Sequence, residues 1–523
     1  MNFWFLVIKT VICSPLKTMR ALFWLVQGKK LRARNKLGVH LTHIQQYYDK
    51  WQKTTEKSLI HDILNWSDTA HEKATIEIVP HDTFPQGNSE YILFRSPFDQ
   101  LSPYAILAFE KVIAENPDAD IIFSDSDLRS SKNKRCYPYF KGAFNPTLYH
   151  HQNYLKSACV IKTKVMQKTR AGLSIKYDDL YGVILNNHPS LKISHLPFVT
   201  HHFKDIEGLK ASYFNLTPFE QKVALDFEEI NTAKSDQPSP LASILIPTRD
   251  MLALTKQCVE SILNKTTYTN YEILILDNDS QKEETLSWFN AIETHPQIRI
   301  ISCPGPFNYS AINNRGANLA DGEYICLLNN DTKVITPDWL EQLLKYASKP
   351  KTGAVGAKLL YEDHTIQHAG VLIGSNGLAG HSHRFLSKDS PGYFNLAHLP
   401  QQVMAVTAAC LLISKKKYQK VGGLNETDFK VAFNDVDLCL KLDKTGFENI
   451  YTPYAKLFHF ESKSRGKDLK GEKKKRFESE IKALHEKWGT NHSMDRFYSE
   501  YLTQQREDFA LAVCDKEEAD NVS

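Results

Sequence analysis

The chain contains no uncharged apolar run approaching the ~20 residues that a membrane-spanning helix needs, because Lys9, Lys17 and Arg20 break up its most apolar stretch. A simple span is excluded for that stretch. There is no C-x-x-C pair either. The nine cysteines are odd in number and scattered from Cys13 to Cys514. Such usage suits reduced thiols in a cytoplasmic setting and argues against a disulfide framework or a thiolate zinc site. An excess of one charge is also missing: 64 Lys and Arg against 60 Asp and Glu leave +4, too little over this length to point to nucleic acid.

What is present is apolar material for more than one core. At 523 residues, 42% apolar and 24% charged, the chain reads as two globular domains with terminal extensions. Residues 1–40 read as an amphipathic, basic membrane-associating segment: Phe3 to Ile8, Val11, Ile12 and Leu22 to Val26 are apolar, and Lys29, Lys30, Arg32, Arg34 and Lys36 follow at once. A Trp-bearing apolar stretch beside a basic cluster suits the interface of an anionic bilayer. The competing readings are a helix packed on the protein itself and a signal sequence, the latter disfavoured because no small-residue cleavage site follows.

Residues 41–226 read as a helical lead-in and a first α/β domain, with strands at 75–79, 91–94 and 120–124 and a helical stripe from Pro103 to Ala114. Residues 227–240, polar and closing on Ser235, Pro238, Ser239 and Pro240, read as a linker. From 241 to 466 the strands SILIP, YEILILDND, IRIIS and EYICLLNND alternate with helical stripes, and Thr336 with Pro337 reads as the start of a further helix. This predicts an α/β domain with a largely parallel sheet, whose ligands belong beyond the C-terminal strand ends. Those ends carry Pro247-Thr248-Arg249-Asp250, Asp277-Asn278-Asp279-Ser280 and Asn329-Asn330-Asp331-Thr332. Each alone is an ordinary turn. Three in register line one crevice with acceptors for a base, a ribose and a hard divalent cation bridging phosphates. Residues 467–523 read as an amphipathic helix through Phe477, Ile481, Leu484 and Trp488, followed by an acidic tail.

PTRD, YEILILDNDS, FNYSAINNRGANLADGEYICLLNND, QHAG, GHSHR, FNDVDLCLKL and PYAKLFHFESKSRG occur in that order. Together they resemble family 2 nucleotide-sugar glycosyltransferases of the GT-A fold, in particular the bacterial O-antigen and rhamnan-type branch. The resemblance implies a Rossmann-like GT-A catalytic domain at 241–466. It also implies an inverting, metal-dependent hexosyl- or deoxyhexosyl-transferase. Such an enzyme moves sugar from a nucleotide-sugar donor to a glycan or lipid-linked glycan acceptor in cell-surface polysaccharide biosynthesis, peripheral on the inner face of the bacterial plasma membrane. By the same resemblance, Pro247, Thr248, Arg249, Asp277, Asn278, Arg315, Asn329 and Asn330 would hold the nucleotide, Asp331 and His459 would bind Mg²⁺ or Mn²⁺, and Asp435 would be the general base. The chain departs from the pattern at Asn329, where the family's acid-x-acid motif has its first acid, and at Asn434, where many members carry Glu. Without the resemblance, Asn434-Asp435-Val436-Asp437 is an acidic helix start that the helix dipole favours, Arg315 is a solvated helical side chain and His459 is a lone histidine.

Residues 75–205 resemble the second half of the same domain. Arg95, Ser96 and Pro97 stand where the acids would be, and nothing matches the PTRD and DNDS loops. A partial, degenerate GT-A-like domain with a packing or acceptor-binding role is therefore expected. Two rival readings stand beside the enzyme. One is a catalytically silent glycan-binding or scaffold pseudoenzyme. The other is a nucleotidyltransferase, disfavoured because no Gly-rich phosphate loop with a downstream Lys follows the SILIP strand.

Overall fold

The computed structural model describes residues 15–27, 33, 45–69, 73–80, 88–95, 99–130, 132–155, 159–169, 177–188, 190–204, 239–461, 471–492 and 495–512. The basic cluster from Lys29 to Lys36, most of the expected linker and the acidic tail beyond residue 512 lie outside them.

The first sheet has seven strands: β1 (Ile76–Pro80), β2 (Tyr91–Arg95), β3 (Asp99–Leu101), β4 (Ile121–Arg129), β5 (Arg135–Tyr139), β6 (Cys159–Lys162) and β7 (Ile193–Phe203). They lie in the order β1-β2-β6-β4-β7-β3, with β5 paired to β4. Its central strands bury Ile92, Leu93, Ile121, Ile122, Phe123, Val160 and Ile161 completely. The helix Ala105–Glu115 turns Ala105, Ala108, Phe109, Val112 and Ile113 onto them, the i, i+3, i+4, i+7, i+8 stripe of an amphipathic helix.

The second sheet is built from β8 (Ala242–Thr248), β9 (Tyr271–Asp277), β10 (Ile298–Ser302), β11 (Tyr324–Leu328), β12 (Thr332–Val334), β13 (Thr352–Leu360) and β14 (Ile366–His368). After the β15 (Val371–Ile373) and β16 (Ala379–His381) hairpin, β17 (Gln401–Val403), β18 (Cys410–Ser414) and β19 (Glu448–His459) complete it. The order is β10-β9-β8-β11-β18-β13-β19-β12, with β14 on β13 and β17 on β19. The expected parallel direction holds for β8 to β11, β13 and β19, but β18 is inserted antiparallel between β11 and β13. Two local expectations shift. The helix predicted from Thr336 begins at Trp339 with Asp338 as its cap, because the Thr336 hydroxyl bonds Tyr454 and Lys456 of β19 instead of the helix. His459, expected after its strand, is the last residue of β19 and pairs with Thr332.

The two sheets repeat one another. In chain order β1 to β7 take the places of β8, β11, β12, β13, β14, β18 and β19, with the same neighbours and the same parallel or antiparallel sense throughout. Among the described residues the copy has no counterparts of β9 and β10, the strands that carry and flank the DNDS loop, nor of β17. Register sharpens the comparison: Asp99 faces Phe203 in the first sheet as Thr332 faces His459 in the second. Of the expected triplet Arg95-Ser96-Pro97, Arg95 is the last residue of β2 and the other two lie outside the described residues. Phe203 stands where His459 stands.

The repeats are joined through polar and aromatic contacts. Asn145 closes a two-bond clamp on the backbone of Gln402, donating to its carbonyl at 2.8 Å and accepting from its N–H at 3.0 Å, while Tyr139 stacks on Phe394 at 3.9 Å. The expected C-terminal helix spans Gly471–Trp488 and docks on the second domain, where buried Asp437 accepts the Trp488 indole N–H at 2.9 Å and pairs with Lys487 and Lys441. At the other end, the helix Pro15–Val26 leaves Met19, Leu22, Phe23, Leu25 and Val26 exposed. Among the described residues no helix is long and apolar enough to cross a membrane.

Candidate active site

Beyond the C-terminal ends of β8, β9 and β11 lies a cavity of about 450 Å³. The three loops that form it are locked to one another by their own polar side chains. Asp250, in left-handed backbone, accepts the N–H groups of Gln281 and Lys282 at 2.7 and 2.8 Å, and Asp279 accepts that of Gly305. Asn330 donates to the Thr248 hydroxyl at 3.0 Å, which in turn bonds Thr255 at 2.7 Å. Asn278 is 1% exposed and donates to the carbonyls of Cys303 and Gly305. Short Asp, Asn and Thr side chains are what such crossing loops need, since each satisfies backbone groups that no strand reaches.

Pro247, Thr248, Arg249, Asn278, Asn329, Asn330, Asp331, Asp435 and His459 all line this cavity. Two expected nucleotide contacts do not. The Asp277 carboxylate turns back to accept the Ser280 N–H at 3.1 Å, and Arg315 is exposed on its helix with Nε on the Ser302 carbonyl at 2.8 Å. Both are spent on loop and helix geometry, the role that turn and helix chemistry gives them.

At the floor, Asp331 is 3% exposed and its Oδ1 lies 3.3 Å from His459 Nε2. Asn329 Nδ2 is 3.4 Å from the same ring nitrogen. A carboxylate oxygen and an imidazole nitrogen at this separation, with an amide beside them, fit a divalent cation whose remaining positions are filled by phosphate oxygens and water. Among the described residues no group of three or more His, Cys, Asp or Glu side chains forms a closed cage.

On the opposite wall, Asp435 sits in the first turn of the helix Asn434–Lys444. Its carboxylate accepts the N–H of Ala408 at 3.0 Å through Oδ2 and that of Val436 at 2.9 Å through Oδ1. The residue before the helix, Phe433, adopts φ 58°, a costly conformation for a bulky side chain, and stacks on Phe477 of the C-terminal helix at 5.7 Å. Gly446, with φ 85°, closes the far end of the helix.

Sequence reasoning misses Tyr309 and Glu461. The Tyr309 hydroxyl is within 3.2 Å of Asn329 Oδ1 and 3.1 Å of the Ala408 carbonyl, so one buried phenol spans the metal-pair side and the Asp435 side. Burial, then the charges of Asp435 and Asp331, push its pKa well above the ordinary value, and it stays a neutral donor. Its helix approaches β9 closely because Gly316 has no Cβ; one added there would lie 2.7 Å from Leu276. Glu461, two residues past His459, also lines the cavity. Burial raises its pKa, but the Arg384 charge and the Tyr361 hydroxyl outweigh this and hold the carboxyl below its usual value. Asp437, by contrast, is spent on the C-terminal helix, as described above.

Comparison with known proteins places these residues in a wider setting. Residues 243–422 match the family model described as glycosyl transferase family 2. An uncharacterised protein of Sinorhizobium fredii is 36% identical over 81% of this chain and 49% of its own length. The O-antigen biosynthesis protein RfbC of Myxococcus xanthus is 28% identical over 76% of this chain and 33% of its own. The N-acetylglucosaminyl-diphospho-decaprenol L-rhamnosyltransferase of Mycobacterium tuberculosis is 24% identical over 38% of this chain and 68% of its own. The chain thus spans about half, and about a third, of the length of the first two relatives.

Proposed function

We propose, from the match of residues 243–422 to the family model described as glycosyl transferase family 2, that this chain is a GT-A-type enzyme of that family and transfers a sugar from a nucleotide-sugar donor to a glycan acceptor in bacterial cell-surface polysaccharide synthesis. One observation carries the reading: a base-like carboxylate, Asp435, and a cation-fitting pair, Asp331 and His459, share a single cavity whose other wall is the Thr248, Arg249 and Asn278 loops. The donor lies along those loops. Asp435 takes the proton of an acceptor hydroxyl as its oxygen bonds to the anomeric carbon; the bond from that carbon to the diphosphate breaks, and the nucleoside diphosphate leaves. Displacement in line inverts the anomeric centre, so retention of the donor configuration in the product, read by NMR, contradicts this mechanism. A divalent cation held by Asp331 and His459 would neutralise charge developing on the departing diphosphate.

A panel of nucleotide sugars tested with Mn²⁺ or Mg²⁺ should contain a member that raises the melting temperature and is slowly hydrolysed only with metal. A panel without any such member favours the glycan-binding pseudoenzyme. The first repeat supports one active site rather than two: among the described residues it has no strands for the DNDS loop, and Phe203 stands in the place of the histidine.

The acceptor in this reading is carried on lipid, and the chain works at the inner face of the plasma membrane. The exposed apolar face of the helix Pro15–Val26, followed in sequence by five basic residues between Lys29 and Lys36, supports that placement. The protein should co-sediment with vesicles containing phosphatidylglycerol and be released by high salt. Equal recovery in the supernatant with and without vesicles removes the membrane from the account.

A further inference from the structure

We propose that Glu461, braced by Arg384 and Tyr361, is the subsite that receives the acceptor sugar, its carboxylate accepting hydroxyls of a neutral glycan and so selecting which acceptor is used. This rests on the transferase reading above and names a part of the site that the base and the metal pair leave unassigned.

The bracing is specific. The Tyr361 hydroxyl donates to Glu461 Oε2 at 2.8 Å and accepts from Arg384 Nε at 2.7 Å, while Arg384 Nη2 lies 3.4 Å from both carboxylate oxygens. Arg384 also lies over the ring of Phe385, centred 4.8 Å away, and Phe385 stacks on Tyr361 at 5.2 Å. To bring Arg384 here, His383 and Phe385 on either side of it adopt φ of 58° and 67°, which non-glycine residues do only where the surroundings impose it. The ion pair itself is no compensation. Its side chains are 33% and 35% exposed, and pairs so open contribute little to stability. Strain of this kind marks a functional site more often than a structural one.

The chemistry of the group excludes a metal role. Arg384 puts positive charge against the same carboxylate, opposing a cation, and Glu461 forms no three-ligand cluster with Asp331 and His459 among the described residues. It suits a sugar. A carboxylate is a pure acceptor with room for two hydroxyl donors; among the described residues Oε1 has only the long Arg384 contact, and the Arg384 charge leaves the group with no net preference for a charged ligand. Beside it, Gln367 is 2% exposed, with Nε2 3.5 Å from Glu461 and Oε1 without a partner among the described residues. Gln367 does not line the cavity; its amide backs the carboxylate from the interior.

The test compares the wild-type chain with Glu461→Gln, which keeps shape and removes charge, and Glu461→Asp, which keeps charge. Saturation-transfer NMR with methyl glycosides of glucose, galactose, mannose and rhamnose reads the subsite. Mn²⁺-dependent hydrolysis of the donor from the nucleotide-sugar panel, without acceptor, reads the donor end on the same samples. At least one glycoside should bind the wild type, Glu461→Gln should weaken it by about tenfold, of the order of one charge-assisted hydrogen bond, and Glu461→Asp should recover part of the loss. Donor hydrolysis should fall by less than glycoside binding does in the same variant. Binding of no glycoside by the wild type, equal binding by Glu461→Gln, or a fall in donor hydrolysis as large as the fall in binding overturns the proposal. If no nucleotide sugar binds yet a glycoside does so through Glu461, the transferase reading fails and the subsite stands.

Discussion

Replacing Asp435 by Asn should cut transfer by ~10² to 10⁴-fold, the usual contribution of a positioned base, while donor affinity stays within about twofold, because the variant removes an interaction made as the proton moves. The geometry makes this substitution informative. The carboxylate is held by two backbone N–H groups, from Ala408 and Val436. An amide of the same shape keeps one acceptor and the helix position but cannot take a proton. The amide NH2 then faces whichever of the two N–H groups has lost its acceptor, so melting temperature is measured beside activity. Single-turnover transfer and calorimetric donor titration on the same preparation separate the two effects. Turnover equal to wild type would take the base role from Asp435. Loss of donor binding together with turnover would move it to the nucleotide side.

Much of this site is legible in the sequence because its polar residues sit at strand ends, where chain order and sheet order coincide. PTRD, DNDS and NND each follow a buried apolar run, and a parallel sheet brings such ends together. The same logic does not bring Asp277 and Arg315 to the cavity: Asp277 accepts from Ser280 of its own loop, and Arg315 donates to the Ser302 carbonyl at the end of β10. Nothing in a single sequence tells an acidic turn residue aimed at a ligand from one that caps its own backbone. Tyr309 and Glu461 escape for a different reason. Tyr309 works by bridging Asn329 and Ala408, 20 and 99 residues away. Glu461 gains its surroundings from Tyr361 and Arg384, 100 and 77 residues away. The insertion of β18 between β11 and β13 is likewise invisible in the sequence, since CLLIS is as continuously apolar as a parallel strand. That Phe203 takes the place of the histidine in the first repeat is not readable in the sequence; it appears only in the pairing of Asp99 with Phe203.

Asp331→Asn should reduce Mn²⁺-dependent transfer by ~10²-fold or more, corresponding to the several kcal/mol of charge stabilisation that a bound cation supplies. The effect should exceed that of losing one acid from a two-acid motif, for a reason specific to this chain. Asn329 has already replaced the first acid, and Tyr309 lies within hydrogen-bonding distance of its oxygen. Asp331 is therefore the carboxylate of the Asp331–His459 pair, and its substitution leaves an imidazole between two amides with no anionic protein ligand. Manganese titration by electron paramagnetic resonance, with nucleoside diphosphate present, should show affinity falling in Asp331→Asn. It should rise in Asn329→Asp, where a second charge is restored. An unchanged manganese affinity in Asp331→Asn would mean that the cation, if used at all, is held by phosphate alone. A fall in affinity in Asn329→Asp would mean that the amide is required as it stands, through its contacts with Tyr309 and His459. The two substitutions thus act in opposite directions on one equilibrium, and a general loss of fold cannot produce that pair of results.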